Sequence, residues 1–188
     1  MNILVFSTFQ GPHHLETEME IIDDHLNSND SVEILTCRGA LRKSGCLGNP
    51  EKLLSVCQTC ISRHNNAFKE LNLKSENIKV LNLPKNQIKK YDFNHLEELN
   101  QLNLNGFDVG SAVSSSLVFY KKNSRIETSK FSDEISLYIN TAMGLYNYFI
   151  EYFKNNKVDL VYFLNGRFLE NKPLYRVCQN ESINFRSH

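Results

Sequence analysis

Short apolar runs alternate along this chain with longer stretches in which apolar residues recur at helical spacing. Residues 2–7 and 31–36 are runs of the first kind, and each is too short for a helix, which predicts two buried strands. Between them, residues 15–26 carry apolar side chains on one helical face, namely Leu15, Met19, Ile22 and Leu26. A strand, a helix and a strand in this order are typical of a parallel, doubly wound sheet.

The rest of the chain continues the same alternation. We predict further strands at 78–83, 158–164 and 183–185, and helices at 49–73, 96–104, 132–154 and 173–180. The helix at 49 is expected because Asn49 suits an N-cap and Pro50 a first helical position. Residues 106–120 have no clear period and stay unassigned. The pattern predicts a single α/β domain over 1–188, in which a Rossmann-like, doubly wound, mostly parallel sheet has helices on both faces, giving three layers.

The composition limits the cellular locations and the classes of binding partner that we expect for this protein. The 188 residues include 21 Lys and Arg and 21 Asp and Glu, so no global positive charge favours nucleic acid. No run approaches the ~20 apolar residues of a membrane-spanning helix, and the chain opens without a basic leader. We expect a cytoplasmic globular protein with no nucleic-acid partner and no transmembrane segment. Peripheral attachment to the inner face of the membrane is left open.

Four of the five cysteines are clustered in the sequence with the spacing C-x8-C-x10-C-x2-C, namely Cys37, Cys46, Cys57 and Cys60. In a cytosolic protein such a group indicates a metal site more often than disulfides. Cys57 and Cys60 share one face of the predicted helix, and glycines beside Cys46 let its loop fold back. Four thiolates suit tetrahedral zinc, so we predict a structural zinc site in a cysteine-rich insertion at about 37–60. His64, four residues beyond Cys60, could replace one thiolate.

Two alternatives use the same cysteines. They could hold an iron–sulfur cluster, or they could be buried as small apolar side chains without any metal. A redox-active pair of Cys57 and Cys60 is less favoured, because such pairs lie where a strand meets a helix N-terminus.

The loop after the first predicted strand contains Gly11, His13 and His14. In open α/β sheets, ligands bind at the carboxyl ends of strands, so this loop is a candidate site. His13 or His14 is a candidate general base, and Gly11 is a candidate substrate contact. The alternative is a histidine that only caps or packs against the following helix.

The loop after the strongest predicted strand reads Asn165-Gly166-Arg167 and occupies the equivalent position. Arg167 could bind a carboxylate, a phosphate or a sugar hydroxyl with its planar fork, and Gly166 permits a sharp turn. The alternative is a weak surface ion pair between Arg167 and Glu170.

Ser114 and Ser115 lie in a serine-rich stretch that we expect to open a helix, where free backbone N–H groups form an anion site. Such stretches are also common as simple caps. No P-loop, G-x-G-x-x-G, G-x-S-x-G or H-E-x-x-H pattern occurs, so several nucleotide-binding and hydrolase classes lose support.

Taken together, these motifs resemble bacterial glycosyltransferase-like proteins of capsular polysaccharide and lipopolysaccharide biosynthesis, in their N-terminal part. The matching segments, in order, are His13-His14-Leu15-Glu16, Thr36-Cys37-Arg38-Gly39-Ala40-Leu41, Cys46, Asn49-Pro50, Cys57-Gln58-Thr59-Cys60 with Arg63, and Asn165-Gly166-Arg167-Phe168 with Arg176 and Cys178. The resemblance spans almost the whole chain and rests on the order and spacing of these segments.

The resemblance implies a GT-B-type architecture, in which two Rossmann-like domains face each other across a cleft. This chain corresponds to the acceptor-binding domain, so we expect a sugar or lipid-linked glycan acceptor as ligand and a donor-binding C-terminal domain or subunit as partner. The resemblance implies that transfer by residues 1–188 alone is not expected. His13 or His14 would take the acceptor proton, Arg167 would hold acceptor or product, and the cysteine site would be structural.

Two functions outside this class remain open at this point. The chain could be a non-catalytic, metal-stabilised Rossmann-like module for binding or assembly. It could also be an iron–sulfur protein that uses the clustered cysteines.

Overall fold

The computed structural model describes residues 1–8, 11, 13–46, 48–84 and 88–188. Its strands are β1 (Asn2–Ser7), β2 (Ser31–Thr36), β3 (Ile78–Val80), β4 (Leu160–Phe163) and β5 (Phe185–Ser187). In this part of the chain they form one sheet in the order β3-β2-β1-β4-β5, and every neighbouring pair is parallel. The predicted α/β class and doubly wound sheet are confirmed.

Six α-helices connect the strands in the described residues. They are α1 (His14–Asn27), α2 (Leu54–Glu70), α3 (Leu96–Asn100), α4 (Val109–Lys121), α5 (Ser132–Asn155) and α6 (Lys172–Asn180). Short 3-10 turns at Ser75–Asn77 and Thr128–Phe131 precede β3 and α5. None of the helices in the described segments is both long and apolar enough to cross a membrane.

Two apolar cores, one on each face of the sheet, make the fold three-layered. Because side chains alternate along a strand, Ile3 and Val5 of β1 face one core while Leu4 and Phe6 face the other. The first core is closed by α1 and α2, and the larger second core by α4, α5 and α6. The ring of Phe6 is fully buried there, 5.1 Å from that of Phe149.

The strand order reverses at β1, which pairs with β2 on one side and β4 on the other. Ligands of open α/β sheets bind beside such a reversal, at the carboxyl ends of the strands. The loops after β1, β2 and β4 therefore carry the candidate site.

The predicted start of α2 is wrong. The helix begins at Leu54, and the Asn49 side chain instead brackets a turn before it. The Leu53 N–H donates to Asn49 Oδ1 at 2.9 Å, and Asn49 Nδ2 donates to the Leu53 carbonyl at 2.7 Å. Lys52, at a φ of 60°, adds a left-handed residue that a helix starting at Asn49 could not contain.

The bounds of other elements also differ from the prediction. Residues 106–120, left unassigned, contain most of α4, while α3 ends at Asn100 and not at 104. β3 pairs only over Ile78–Val80, and β5 lies two residues further along than predicted. These are the elements with the shortest or least periodic apolar patterns.

Candidate functional site

The four clustered cysteines line one small cavity beside the carboxyl end of β2. Cys37 follows β2 directly, Cys46 lies in the next loop, and Cys57 and Cys60 lie on α2. The cavity has a volume of about 30 Å³, which is enough for one or two occupants of the size of water. The fold thus brings together residues that lie in three separate segments.

The four cysteines line one cavity but are not positioned as ligands of a metal ion. All five cysteines are free thiols, and within the described residues no three His, Cys, Asp or Glu side chains are close enough together to hold a metal ion. The sulfur atoms that zinc or an iron–sulfur cluster requires therefore surround one cavity. They lie further apart than the ligands of a bound metal do.

Burial keeps the thiols of this cavity protonated. Burial, followed by the neighbouring Cys37 and Cys57, raises the pKa of Cys60 to about 12. Burial, followed by the Glu170 carboxylate, also raises the pKa of the Cys46 thiol, and Glu170 is 1 % exposed. Neutral thiols packed beside a buried carboxylate would gain from a positive ion that displaces their protons.

A buried hydrogen-bond chain forms part of the wall of the cavity, through Ser7 and His64. Ser7, the last residue of β1, donates through Oγ to Glu18 Oε2 and lies 2.9 Å from His64 Nε2. The other ring nitrogen, His64 Nδ1, lies 2.9 Å from the Cys60 carbonyl oxygen and 3.6 Å from Cys60 Sγ. Both nitrogens of His64 are engaged, so His64 would have to leave Ser7 or the Cys60 carbonyl before it could replace a thiolate ligand.

His13 and His14 lie where the chain enters α1. His13 is exposed, occupies the N-cap position at a φ of 71°, and accepts the Thr17 N–H through its carbonyl at 3.1 Å. His14 is half-buried, its ring 6.3 Å from that of His188, and its N–H donates to the Gly11 carbonyl at 3.1 Å. Of the two candidate bases, His14 is the one that faces other residues of the sheet edge.

The loop after β4 makes the sharp turn that its sequence predicts. Asn165 and Gly166 have φ angles of 56° and 47°, and the Asn165 N–H donates to the His188 carbonyl at 3.2 Å. A Cβ on Gly166 would lie 3.1 Å from the Phe163 ring, so the turn packs closely on the strand. Arg167 emerges exposed, with its guanidinium 5.2 Å from the centre of the Phe168 ring.

Arg167, Ser114 and Ser115 meet in one groove, although they are far apart in the sequence. The groove has a volume of about 280 Å³ and is lined by Leu96, Glu97, Asn100, Ser114, Ser115, Val118 and Arg167. Ser114 is 6 % exposed, and its Oγ has no hydrogen-bond partner among the described residues. A buried hydroxyl without a partner is costly and favours a ligand or an ordered water at this position.

The expected anion site at a helix start is corrected by the course of α4. The helix begins at Val109, so Ser114 and Ser115 lie in its second turn, where backbone N–H groups bond within the helix. They contribute hydroxyl groups to the groove. Gly11, His13 and His14 do not line it, and neither do Asn165 and Gly166.

Sequence reasoning missed several polar residues of this edge. Glu18 is fully buried, and its position on the same helical face as Leu15 and Ile22 was a usable signal. Ser7 and Glu170 carried no comparable signal, because a serine ending a strand and a glutamate in a loop are common. Glu97 and Asn100 lie in α3, whose contact with α4 is a tertiary feature.

Comparison with protein-family models, with curated proteins and with solved structures finds no match to this chain. The resemblance to glycosyltransferase-like proteins therefore depends on the motifs alone. Independently of that resemblance, the structure shows a polar groove and a cysteine-lined cavity at the same edge of a parallel sheet.

Proposed function

We propose that the chain is the acceptor-binding domain of a glycosyltransferase-like protein of surface polysaccharide biosynthesis, capsular or lipopolysaccharide. The observation that carries the proposal is the groove that unites Arg167 with Ser114 and Ser115. Its lining offers a guanidinium, a carboxylate, an amide and hydroxyls, the groups that hydrogen-bond the hydroxyls of a sugar. The position at the carboxyl edge of the sheet agrees with where such folds bind ligands.

In this proposal Arg167 holds the acceptor through charge-assisted hydrogen bonds, and Glu97 and Asn100 accept or donate at its hydroxyls. His14, which is half-buried, or the exposed His13 would take the acceptor proton; neither lines the Arg167 groove, so the acceptor would have to extend from the groove to the start of α1. Transfer itself requires a donor-binding domain or subunit opposite this edge, so the chain alone is expected to bind acceptor without turnover. Cytoplasmic location, with attachment at the inner face of the membrane, belongs to the same proposal.

Replacing Arg167 tests this assignment. Binding of free N-acetylglucosamine and of a short-chain prenyl diphosphate carrying that sugar is measured by isothermal titration calorimetry. Arg167→Ala is expected to weaken binding by about 10- to 100-fold, because one charged hydrogen-bond donor is lost, while Arg167→Lys recovers only part of the loss. The free sugar and the diphosphate distinguish recognition of hydroxyls from recognition of phosphate.

The matched control is Arg125→Ala, another exposed arginine, which does not line the groove. It is expected to bind as the wild type does. Equal affinities of Arg167→Ala and Arg125→Ala, or a wild-type protein that binds neither ligand, would contradict the proposal. Thermal melts of each variant separate loss of contact from loss of fold.

A second candidate function, a non-catalytic metal-stabilised module for binding or assembly, is favoured by the cysteine cavity. Cys37, Cys46, Cys57 and Cys60 surround one space, and the buried Glu170 adds negative charge beside it. Structural zinc fits this donor set, and an iron–sulfur cluster is the alternative. Either group, when bound, would pull the thiols together and tie the loop after β2 to α2.

Metal content decides between these possibilities. Elemental analysis and an absorption spectrum of the purified protein are expected to show about one zinc per chain, which Cys57→Ser or Cys60→Ser removes together with several kcal/mol of stability. Iron with visible absorbance would assign a cluster instead.

Cys178→Ser is the matched control, because Cys178 is buried in α6 and does not line the cavity. It is expected to keep the metal even if it melts at a lower temperature. A wild-type protein with neither zinc nor iron would leave the cysteines as packing residues.

A further inference from the structure

A second groove lies on the helical side of the molecule, between α5 and the segment after β3. It has a volume of about 390 Å³ and is lined by Pro84, Gly144, Asn147, Tyr148, Glu151, Tyr152, Asn155 and Asn156. It shares no lining residue with the Arg167 groove or the cysteine cavity. Its volume is in the range of small-molecule sites.

Two tyrosine rings one helical turn apart form an aromatic surface in this groove. The rings of Tyr148 and Tyr152 have centres 6.2 Å apart and planes inclined by 24°. The Tyr152 hydroxyl donates to Glu33 Oε1 of β2 at 2.5 Å, which fixes its ring. Burial, followed by the Glu33 carboxylate, raises the pKa of Tyr148, so its phenol is neutral. The pair presents a rigid, uncharged aromatic surface.

Gly144 keeps the space beside these rings open. It lies in the interior of α5, one turn before Tyr148, and a Cβ built on it would meet no atom within 4 Å. A glycine inside a helix costs roughly 0.5–1 kcal/mol relative to alanine. No neighbouring atom requires a glycine at this position. The effect of the missing side chain is the open volume beside the two rings.

Polar groups surround the aromatic pair on its exposed side. Asn155 Nδ2 donates to the Glu151 carbonyl at 2.8 Å, and Asn156 Nδ2 donates to the Tyr152 carbonyl at 2.8 Å. Both amides therefore present their oxygen atoms outward. Asn147 is exposed and lines the groove, so its side-chain amide offers both a donor and an acceptor. Acceptors predominate, and the Glu151 carboxylate, which accepts from Asn155 Nδ2 at 2.9 Å and pairs with Lys154 Nζ at 3.8 Å, disfavours a phosphate.

We propose that this groove is a second saccharide-binding site, separate from the acceptor groove. The apolar face of a pyranose ring would lie on Tyr148 and Tyr152, in the space beside Gly144, and its hydroxyls would donate to Glu151 and bond Asn147. A rigid aromatic surface beside hydrogen-bond acceptors selects a neutral sugar, because no lysine or arginine is among the described residues that line the groove and the nearby Lys154 is paired with Glu151 at 3.8 Å. The site shares only its ligand class with the function proposed above.

The test is saturation-transfer NMR of the full chain with maltose, lactose and cellobiose as probes, none of which contains the N-acetylglucosamine used to test the acceptor groove. At least one is expected to receive saturation on the protons of one ring face. Tyr148→Ala should abolish the transfer, while Tyr148→Phe, which keeps the ring, should retain it. Gly144→Leu should also abolish it by filling the groove, and because the position is open this variant should melt at or above the wild-type temperature.

Arg167→Ala separates this inference from the acceptor groove and is expected to leave the transfer unchanged. Transfer that disappears in Arg167→Ala but survives Tyr148→Ala would assign the sugar to the acceptor groove and overturn the second site. The absence of transfer to all three disaccharides would overturn it as well.

Discussion

At the scale of single residues, Asp108 shows how one side chain joins two helices. It lies at the N-cap position of α4 and accepts hydrogen bonds from Lys172 Nζ at 2.9 Å and Arg176 Nη2 at 2.8 Å, both of α6. Burial acts to raise the pKa of Asp108, but the bonds from Lys172 and Arg176 outweigh it and hold the pKa below its ordinary 3.8. The ionised form of Asp108 is therefore more favourable in the folded than in the unfolded chain.

This gives a pH dependence with a defined sign. The stabilisation by Asp108 is fully present above its unfolded pKa, near 3.8, and is lost as the pH falls through the lower folded value. Asp108→Asn is expected to reduce the free energy of unfolding by about 1–3 kcal/mol at neutral pH and to lessen the loss on acidification. Urea denaturation at a series of pH values measures both.

Asp133→Asn is the control for Asp108, because the Asp133 side chain is 88 % exposed and pairs with an exposed lysine. Its effect at neutral pH is expected to be within experimental error. If the free energy of unfolding fell identically on acidification for Asp108→Asn and for the wild type, the ion pairs of Asp108 would not be a source of the pH dependence.

At the scale of elements, the contact of α3 with α4 depends on Gly110. A Cβ at this position would lie 1.8 Å from the Leu99 carbonyl oxygen and 2.9 Å from Leu102 Cβ. The Gly110 N–H also donates to the Leu102 carbonyl at 3.0 Å, which seats the end of α3 on the first turn of α4. These contacts require the absence of a side chain.

Gly110→Ala should therefore separate α3 from α4, with a loss of about 3 kcal/mol in the free energy of unfolding. Gly144→Ala is the matched control, since it makes the same substitution inside a helix with open space around it. It is expected to gain about 0.5–1 kcal/mol. Chemical denaturation of both variants gives the comparison, and effects of equal sign would contradict it.

The elements that were predicted correctly are those whose pattern is local. β1 and β2 have the predicted bounds, and the long apolar face of α5 gave its extent to within one residue. The start of α2 failed because the Asn49 side chain can bracket a turn as readily as it can cap a helix. α4 was missed because it is buried almost all round and so has no polar face to define a period.

At the scale of the whole molecule, the same distinction applies to the candidate site. The cysteine cluster was predictable because its residues are near one another in the sequence, whereas the union of Arg167 with Ser114 required the packing of α4 against the loop after β4. The hydrogen bonds of Ser7, Glu18 and His64 join β1, α1 and α2. No local sequence pattern indicates that these three elements meet at these residues. Sequence patterns located the sheet edge, and only the packed fold determined which side chains share a space.

The central position of β1 has a consequence for how the protein is made. Residues 3–6 leave the ribosome shortly before their β2 partners, but Leu160, the partner of Ile3 on the other side, is synthesised more than 150 residues later. At typical rates of translation this interval is roughly ten to thirty seconds. Throughout it the growing chain carries an apolar strand with one open edge, a template for wrong pairing. The nascent protein is thus expected to need chaperone protection until β4 has emerged.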